Sequence, residues 1–183
     1  MIRTSVYVGT SVDGYIARPD GQVDFLDSAE PIDGDMGHAD FMASIDIIVM
    51  GRNTYDWVVD MVTTDGVIDW PYGETPVVVP THRDLDIPAA LGDTVEPTGL
   101  APGDLLNELE SRGFEHAYVD GGLTVQGFLG AGLINELIVT QVPVLIGRGL
   151  PLFGELPADV ELHHVGTIIF ENGCIQTRYR VQT

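Results

Sequence analysis

The sequence has 183 residues, 44% of them hydrophobic, and its 28 acidic residues face only eight basic ones, for a formal net charge of −20. A charge of this sign and size argues against nucleic acids and anionic membranes as partners, because both repel an acidic surface. Every one of the eight basic residues is an arginine, and the acids are spread along the chain, which we interpret as adaptation to molar salt in a halophilic organism, where a Debye length of about 3 Å screens self-repulsion.

Length and composition predict one domain spanning residues 1–183. No apolar run reaches the roughly 18 to 20 residues of a bilayer span, and the first residues lack the features of a signal peptide, so we expect a cytoplasmic protein. Cys174 is the single cysteine and has no partner spacing for a zinc site or a redox pair. We therefore expect no disulfide and no bound metal.

The predicted elements alternate between strands and helices along the chain. Strands are expected near residues 2–10, 45–50, 76–80, 94–95, 116–119 and 134–142. Helices are expected before residue 44, at 52–60, at 102–112 and after the glycine pair at 121–122. This alternation predicts an α/β fold with a mostly parallel central sheet. Two runs near 160–170 and 173–182, separated by an Asn-Gly pair, predict an antiparallel hairpin at the C-terminus.

The strongest signal for a ligand is the junction between strand and helix at Gly121 and Gly122. The run 117–119 is typical of a buried strand, and apolar residues then recur at helical spacing from Leu123. A helix that starts at the glycine pair would direct free N–H groups and its positive dipole end at an anion beyond the strand. An ordinary structural turn would use the same glycines, so this motif alone leaves both interpretations open.

Two further strand ends carry polar residues suited to a phosphate. The strand at 45–50 runs into Gly51, Arg52, Asn53 and Thr54. Glycine permits close approach, arginine supplies a fork of donors, and Asn53 or Thr54 can cap the helix or bond a phosphate oxygen. The strand at 76–80 is followed by Thr81, His82 and Arg83. Three strand ends that face one ligand fit an open α/β sheet, in which ligands bind beyond the carboxyl ends of the strands.

With these segments in place, the chain resembles the dihydrofolate-reductase-like fold, and within it the reductase domains at the C-terminus of the bifunctional riboflavin-biosynthesis deaminase-reductase. The resemblance covers nearly the whole chain and rests on the order and spacing of five segments: SVDGYIA at 11–17, IVMGRNTYD at 48–56, THR at 81–83, YVDGGLTVQGFL at 118–129 and LINELIVTQVPVLIGRGLPLF at 133–153. It implies a three-layer α/β/α architecture and an NADPH-dependent reductase with a small-molecule substrate.

The resemblance also implies how NADPH would be held. Phosphate groups would bind at Gly51, Arg52, Asn53 and Thr54. The adenosine 2′-phosphate would lie near Thr81, His82 and Arg83. The pyrophosphate and the nicotinamide ribose would lie between Gly121, Gly122, Leu123 and Thr124. A guanidinium at position 52 or 83 suits a dianionic 2′-phosphate, which favours NADP over NAD.

Two aspartates are candidates for a catalytic role as proton donor. Asp13 lies in the SVDGYIA string beside the expected nicotinamide pocket, although its side chain can also stabilise the turn. Asp35 stands near the position that an ungapped count back from Met50 gives for the acid of dihydrofolate reductases, with Asp40 on the same stretch. The general acidic coat of the chain is the competing explanation for these carboxylates.

Departures from the family pattern leave the substrate open. The loop after the first strand lacks the tryptophan usual in folate reductases, and its only cation for a ribose phosphate is Arg18. We expect a stand-alone reductase of a C=N or C=O bond in a pteridine- or pyrimidine-type molecule. Authentic dihydrofolate reductase and a non-catalytic nucleotide-binding protein are the alternatives. Relatives often form homodimers, and the apolar run 133–146 could supply an interface, although burial in the sheet explains the same run.

Overall fold

The computed structural model describes residues 1–29 and 35–182. Its strands are β1 (Arg3–Ser11), β2 (Tyr15–Ala17), β3 (Ile47–Met50), β4 (Thr63–Thr64), β5 (Val67–Ile68), β6 (Val77–Pro80), β7 (Val95–Thr98), β8 (His116–Asp120), β9 (Glu136–Val142), β10 (Leu150–Pro151), β11 (Leu162–Ile169) and β12 (Ile175–Val181). Its α-helices are α1 (His38–Ala43), α2 (Arg52–Val62), α3 (Pro102–Ser111) and α4 (Gly122–Gly130). Short 3-10 helices occupy Asp24–Ala29 and Ala89–Leu91.

The central sheet has eight strands in the order β11-β12-β9-β1-β8-β3-β6-β7. The six strands from β9 to β7 are mutually parallel, whereas β12 runs antiparallel to β9 and pairs with β11 as an antiparallel hairpin. The predicted fold class is therefore confirmed, including the hairpin that the Asn-Gly pair indicated. The short strand expected near residues 94–95 extends to Thr98 and forms the parallel edge strand β7.

Helices cover both faces of the sheet, which makes the three layers. Apolar side chains of α3 and α4, such as Leu109 and Phe128, pack in one core cluster. Apolar side chains of α1 and α2, such as Phe41 and Tyr55, pack in a second cluster on the other face. All four residues of β3 are fully buried, because a central parallel strand is covered on both sides. This burial explains why β3 appears in the sequence as an unbroken apolar run.

Within the apolar run 133–146, residues 136–142 form β9 in the interior of the sheet, whereas Leu145 beyond it is 71% exposed. Strand β9 pairs with β1 on one side and β12 on the other, and Leu137 and Ile138 are buried. Burial in the sheet therefore accounts for the apolar character of β9, and homodimerisation stays a prediction. Most exposed apolar side chains of the described hairpin lie on the edge strand β11, at Leu162, Val165, Ile168 and Ile169, and Ile175 of β12 is exposed as well.

The described residues contain neither a membrane-spanning helix nor a cluster of metal-ligating side chains. None of the helices found there combines the length and the apolar character that a membrane crossing requires. In the same part of the chain, no group of three or more His, Cys, Asp or Glu side chains is placed to hold a metal ion.

Candidate active site

A cleft of about 900 Å³ opens along the carboxyl edge of the parallel strands. Because β6, β3, β8 and β1 are neighbours in that order, the cleft extends across all four strand ends. The structure brings together in its lining every residue predicted for the cofactor, namely Gly51, Arg52, Asn53, Thr54, Thr81, His82, Arg83, Gly121, Gly122, Leu123 and Thr124. Much of the remaining lining is apolar or aromatic, as is usual for small-molecule sites.

Helix α2 presents an open N-terminus to this cleft. The helix begins at Arg52, and its N-cap residue Gly51 offers no side-chain hydrogen bond. The first intrahelical bond runs from the Tyr55 N–H to the Gly51 carbonyl at 2.9 Å, so the N–H groups of the first turn have no partner within the helix. The expectation that Asn53 or Thr54 caps this helix is wrong, because both residues lie inside its first turn. Their backbone N–H groups are thereby available to an anion.

Helix α4 has the same open arrangement. It begins at Gly122, and its N-cap Gly121 has φ 93° and ψ 135°, a backbone conformation that a residue with a side chain adopts only under strain. The Val125 N–H donates to the Gly121 carbonyl at 2.8 Å, and no described side chain accepts the N–H groups of residues 122–124. Two helix N-termini, each with positive dipole ends, therefore face one cleft.

The two helix starts are in close contact with each other. A Cβ atom added to Gly51 would lie 2.5 Å from Thr124 Oγ1, and one added to Gly121 would lie 2.6 Å from Thr54 Oγ1. Each glycine thus accommodates the threonine of the opposite helix. These glycines have a structural role, because the absence of side chains allows the two helix N-termini to lie side by side. This role is compatible with the predicted role in binding a ligand.

Arg52 carries a buried donor that is not satisfied. Its Nε donates to Asp56 Oδ2 at 3.3 Å, and its side chain is 22% exposed. Its Nη1 is buried and has no hydrogen-bond partner among the described residues. Buried donors are nearly always paired, and a guanidinium pairs preferentially with phosphate or carboxylate. Arg52 lines the cleft, and its guanidinium, whose only described partner is Asp56, is suited to pair with an anion there.

The segment Thr81 to Arg83 forms a tight turn at the end of β6. The Arg83 N–H donates to Thr81 Oγ1 at 3.2 Å, and the Thr81 N–H donates to the Thr98 carbonyl at 2.7 Å. The side chains of His82 and Arg83 are exposed at the cleft, and Arg83 makes no ion pair with any described residue. An unpaired guanidinium thus stands at the far end of the cleft from β1.

Asp120 is a cleft residue that the sequence argument did not single out. It ends β8, directly before the glycine pair, and it lines the cleft together with Tyr72 and Tyr118. Its Oδ1 accepts the Gly121 N–H at 2.8 Å. Loss of water among these aromatic neighbours raises the pKa of Asp120 to about 6, although the bond from Gly121 acts in the opposite direction. The sequence feature that could have identified Asp120 is an acidic residue at the end of an apolar strand, directly before two glycines.

Asp13 lies outside the lining of the cleft. Its carboxylate accepts the N–H groups of Gly147 at 2.8 Å and Ile146 at 3.3 Å, and so fastens the loop before β10. A hydrogen bond with Ser11, together with these backbone bonds, lowers the pKa of Asp13. A carboxylate that stays ionised is a poor proton donor near neutral pH. The catalytic role predicted for Asp13 stays a prediction, and the observed contacts favour a structural one.

Asp35 also lies outside the cleft lining. Its exposed carboxylate accepts the N–H groups of Gly37 and Ala39 at the start of α1, and these bonds lower its pKa. Capping of this kind is a common structural use of aspartate. The catalytic role of Asp35 likewise stays a prediction.

Comparison with known proteins identifies the family. Residues 5–175 match the RibD C-terminal domain, and the chain belongs to this family. Protein YwjB of Bacillus subtilis strain 168 is 32% identical over 168 residues, which cover 90% of each chain. The resemblance read from the sequence is thereby confirmed.

Solved structures agree with the family and the fold. A candidate riboflavin biosynthesis protein from Shewanella sp. PV-4 superposes with a TM-score of 0.91 at 35% identity, with all of both chains covered. RibD of Acinetobacter baumannii superposes with a TM-score of 0.69 at 18% identity, over all of this chain and 58% of that one. The second likeness supports the fold alone.

Proposed function

We propose that this protein is an NADPH-dependent reductase that reduces a C=N or C=O bond of a small heterocyclic substrate. The observation that carries the proposal is the pairing of two open helix N-termini with the unsatisfied guanidinium of Arg52 in one cleft. Family membership supports it, because the neighbours include a pyrimidine reductase-like protein of Corynebacterium diphtheriae and a deaminase/reductase of Thermotoga maritima.

The residues of the cleft fit a dinucleotide with a third phosphate. The pyrophosphate would accept hydrogen bonds from the first N–H groups of α2 and α4, where both helix dipoles favour negative charge. The guanidinium of Arg52 would donate to the adenosine 2′-phosphate. Thr81 and Arg83, at the β6 end, would bind the 2′-phosphate of the adenosine. The nicotinamide would then reach the β8 and β1 strand ends on the other side of the helix pair.

The chemistry needs one hydride and one proton for each bond reduced. NADPH supplies the hydride to carbon when it is bound. The protein must hold the acceptor bond in place, exclude water and deliver a proton to the nitrogen or oxygen of that bond. Asp120 is the best placed described acid for the proton, because it lines the cleft and its pKa of about 6 leaves a protonated fraction near neutral pH.

Arginine variants test the cofactor assignment. Arg52→Ala and Arg83→Ala should each weaken NADPH about tenfold or more while changing NADH affinity less, since a charged hydrogen bond to phosphate contributes about 1.5 to 3 kcal/mol. Arg180→Ala is the matched control, because Arg180 is exposed on β12 and lies outside the cleft lining. Nicotinamide fluorescence in molar KCl gives both affinities. Equal losses for NADPH and NADH would remove the claim that these cations bind the 2′-phosphate.

A further inference from the structure

The cleft has a second end whose chemistry differs from that of the phosphate-binding end. This second end, here called the ring end, is formed by the aromatic side chains Tyr7, Trp57, Tyr72 and Tyr118 together with Asp120. The four aromatic residues belong to one apolar cluster on the α1–α2 face of the sheet. An inference about its ligand rests on the proposed function, because the ring end would hold the substrate of the reductase.

Two tyrosines of the ring end, Tyr7 and Tyr118, offer ring surface to a ligand because their hydroxyl groups are already hydrogen-bonded. The Tyr118 hydroxyl donates to the Tyr7 carbonyl at 2.9 Å. The Tyr7 hydroxyl donates to the Met36 carbonyl at 2.9 Å and accepts from Gln176 Nε2 at 3.1 Å. Burial raises the pKa of Tyr72, Tyr118 and Tyr7, so all three stay neutral. Neutral aromatic faces around an apolar space favour a flat ring as ligand.

Among the described residues that line the cleft, the cations are Arg52, His82 and Arg83, and all three stand at the phosphate-binding end. Arg18, in the segment after β2, forms a two-fold ion pair with Asp24 at 2.5 and 2.9 Å and lies outside the lining. The sequence contains no lysine, and no arginine occurs between positions 18 and 52.

Carboxylates are the charged groups at the ring end. Asp120 lines it directly, and its charge contributes to the raised pKa of Tyr72, after burial. Asp35 is close enough to contribute to the raised pKa of Tyr7, again after burial. A phosphate on the bound ring would lie beside Asp120 with no described cation at the ring end to offset the repulsion, and like charges at short range are costly. An amino or ring N–H group would instead find an acceptor in Asp120.

We propose that the substrate is a flat, phosphate-free heterocycle that presents an amino or ring N–H group to Asp120. The Thermotoga maritima neighbour is named for a phosphoribosylamino-uracil, so this chain would differ from that protein by excluding the phosphate. Specificity would come from the aromatic enclosure and from the absence of any described cation at the ring end.

The test compares two ligands that differ only in one phosphate. 5-Amino-6-(5-phosphoribosylamino)uracil and its dephosphorylated counterpart are titrated into the protein in molar KCl with saturating NADP⁺, and 7,8-dihydrobiopterin serves as a third, phosphate-free probe. Quenching of tryptophan fluorescence reports binding, since Trp57 lines the cleft. We expect a phosphate-free ring to bind about tenfold more tightly than the phosphorylated one. Tenfold tighter binding of the phosphorylated compound, or no binding of either phosphate-free ring, overturns the proposal.

Asp120→Asn tests substrate binding at the ring end separately from NADPH binding at the phosphate-binding end. We expect it to weaken the phosphate-free ring about tenfold while NADPH affinity stays within a factor of three. Asp104→Asn, an exposed acid on α3 outside the lining, is the matched control and should change neither affinity. Unchanged ring affinity in Asp120→Asn overturns the role of this carboxyl. If NADPH binds but the phosphate-free heterocycles do not, only this inference is overturned. If NADPH itself does not bind, the proposed function is overturned.

Discussion

Gly51 donates its backbone N–H to the carbonyl oxygen of Asp120 at 2.9 Å, which joins the start of α2 to the end of β8. Met50 and Asp120 are register partners in the parallel pair of β3 and β8, so the two strands end at the same level. The helices that follow therefore begin side by side. The backbone itself thus sets the spacing of the two N-termini, which are the part of the cleft best suited to a pyrophosphate.

Gly121→Ala should destabilise the fold more than a comparable substitution elsewhere. The new Cβ would meet Thr54 Oγ1 at 2.6 Å in a backbone conformation at φ 93°, and such strain costs on the order of 1 to 3 kcal/mol. Gly66→Ala is the matched control, since Gly66 has φ 80° and nothing within 4 Å of an added Cβ. Thermal unfolding of both variants measures the difference. Equal decreases in Tm for the two variants would show that the contact between the starts of α2 and α4 contributes nothing to stability.

Turnover should depend on the protonated form of Asp120. Its pKa of about 6 predicts a chemical step whose rate falls as pH rises through that value, because the fraction able to donate a proton declines. Asp120→Asn should lower kcat by tenfold or more and remove this pH dependence. Single-turnover kinetics between pH 5 and 8 provide the measurement. A wild-type profile retained in the variant would assign the proton to another group.

Asp13→Asn distinguishes a catalytic role from a structural one. An amide accepts the Ile146 and Gly147 N–H groups less strongly than a carboxylate does. We therefore expect a lower Tm, with kcat at a permissive temperature nearly unchanged. The opposite pattern, an unchanged Tm with a large loss of kcat, would restore Asp13 as a catalytic residue.

His116 should make stability fall at acidic pH. Its Nδ1 lies 2.8 Å from the Ser44 carbonyl and its Nε2 lies 2.8 Å from Ser5 Oγ, and burial lowers the pKa of the imidazole. In the unfolded chain the imidazole has its ordinary pKa near 6.5. The unfolded chain therefore binds the proton first as pH falls. Neutral His116 therefore contributes its full stabilisation above the unfolded-state pKa, and this stabilisation is lost as pH drops towards the lower pKa of the folded state.

Unfolding midpoints at pH 7 and pH 5 measure this effect. His116→Gln should show a smaller fall in Tm between the two pH values than the wild type, whereas His163→Gln, on the exposed strand β11, should behave as the wild type. Identical falls in all three proteins would show that His116 does not contribute to the acid sensitivity.

Much of the fold could be predicted because its strongest signals are local. The unbroken apolar run of β3 and the Asn172-Gly173 turn each depend on a few adjacent residues, and both gave the observed elements. The alternation of elements predicted a parallel sheet, but strand order follows from which crossovers pack together. The short pairs β2–β10 and β4–β5 were not predicted, because two or three residues show no periodicity.

The site could be predicted only in part, for an identifiable reason. Arginine is rare in this chain, and the glycines chosen stand directly where predicted strands end; all of the chosen residues line the cleft. Aspartate is abundant, so the solvated acids Asp13 and Asp35 could not be separated from Asp120 by residue type. Only the structure distinguishes them, because the pKa of a carboxyl depends on neighbours that are distant in sequence.

The most direct measurement is a fluorescence titration of the folded wild-type protein with NADPH and with NADH in molar KCl. The account predicts saturable NADPH binding that is at least tenfold tighter than NADH binding, because α2 and α4 would hold the pyrophosphate and the arginines would bind the extra phosphate. No binding of either nucleotide by protein that circular dichroism shows to be folded would contradict it.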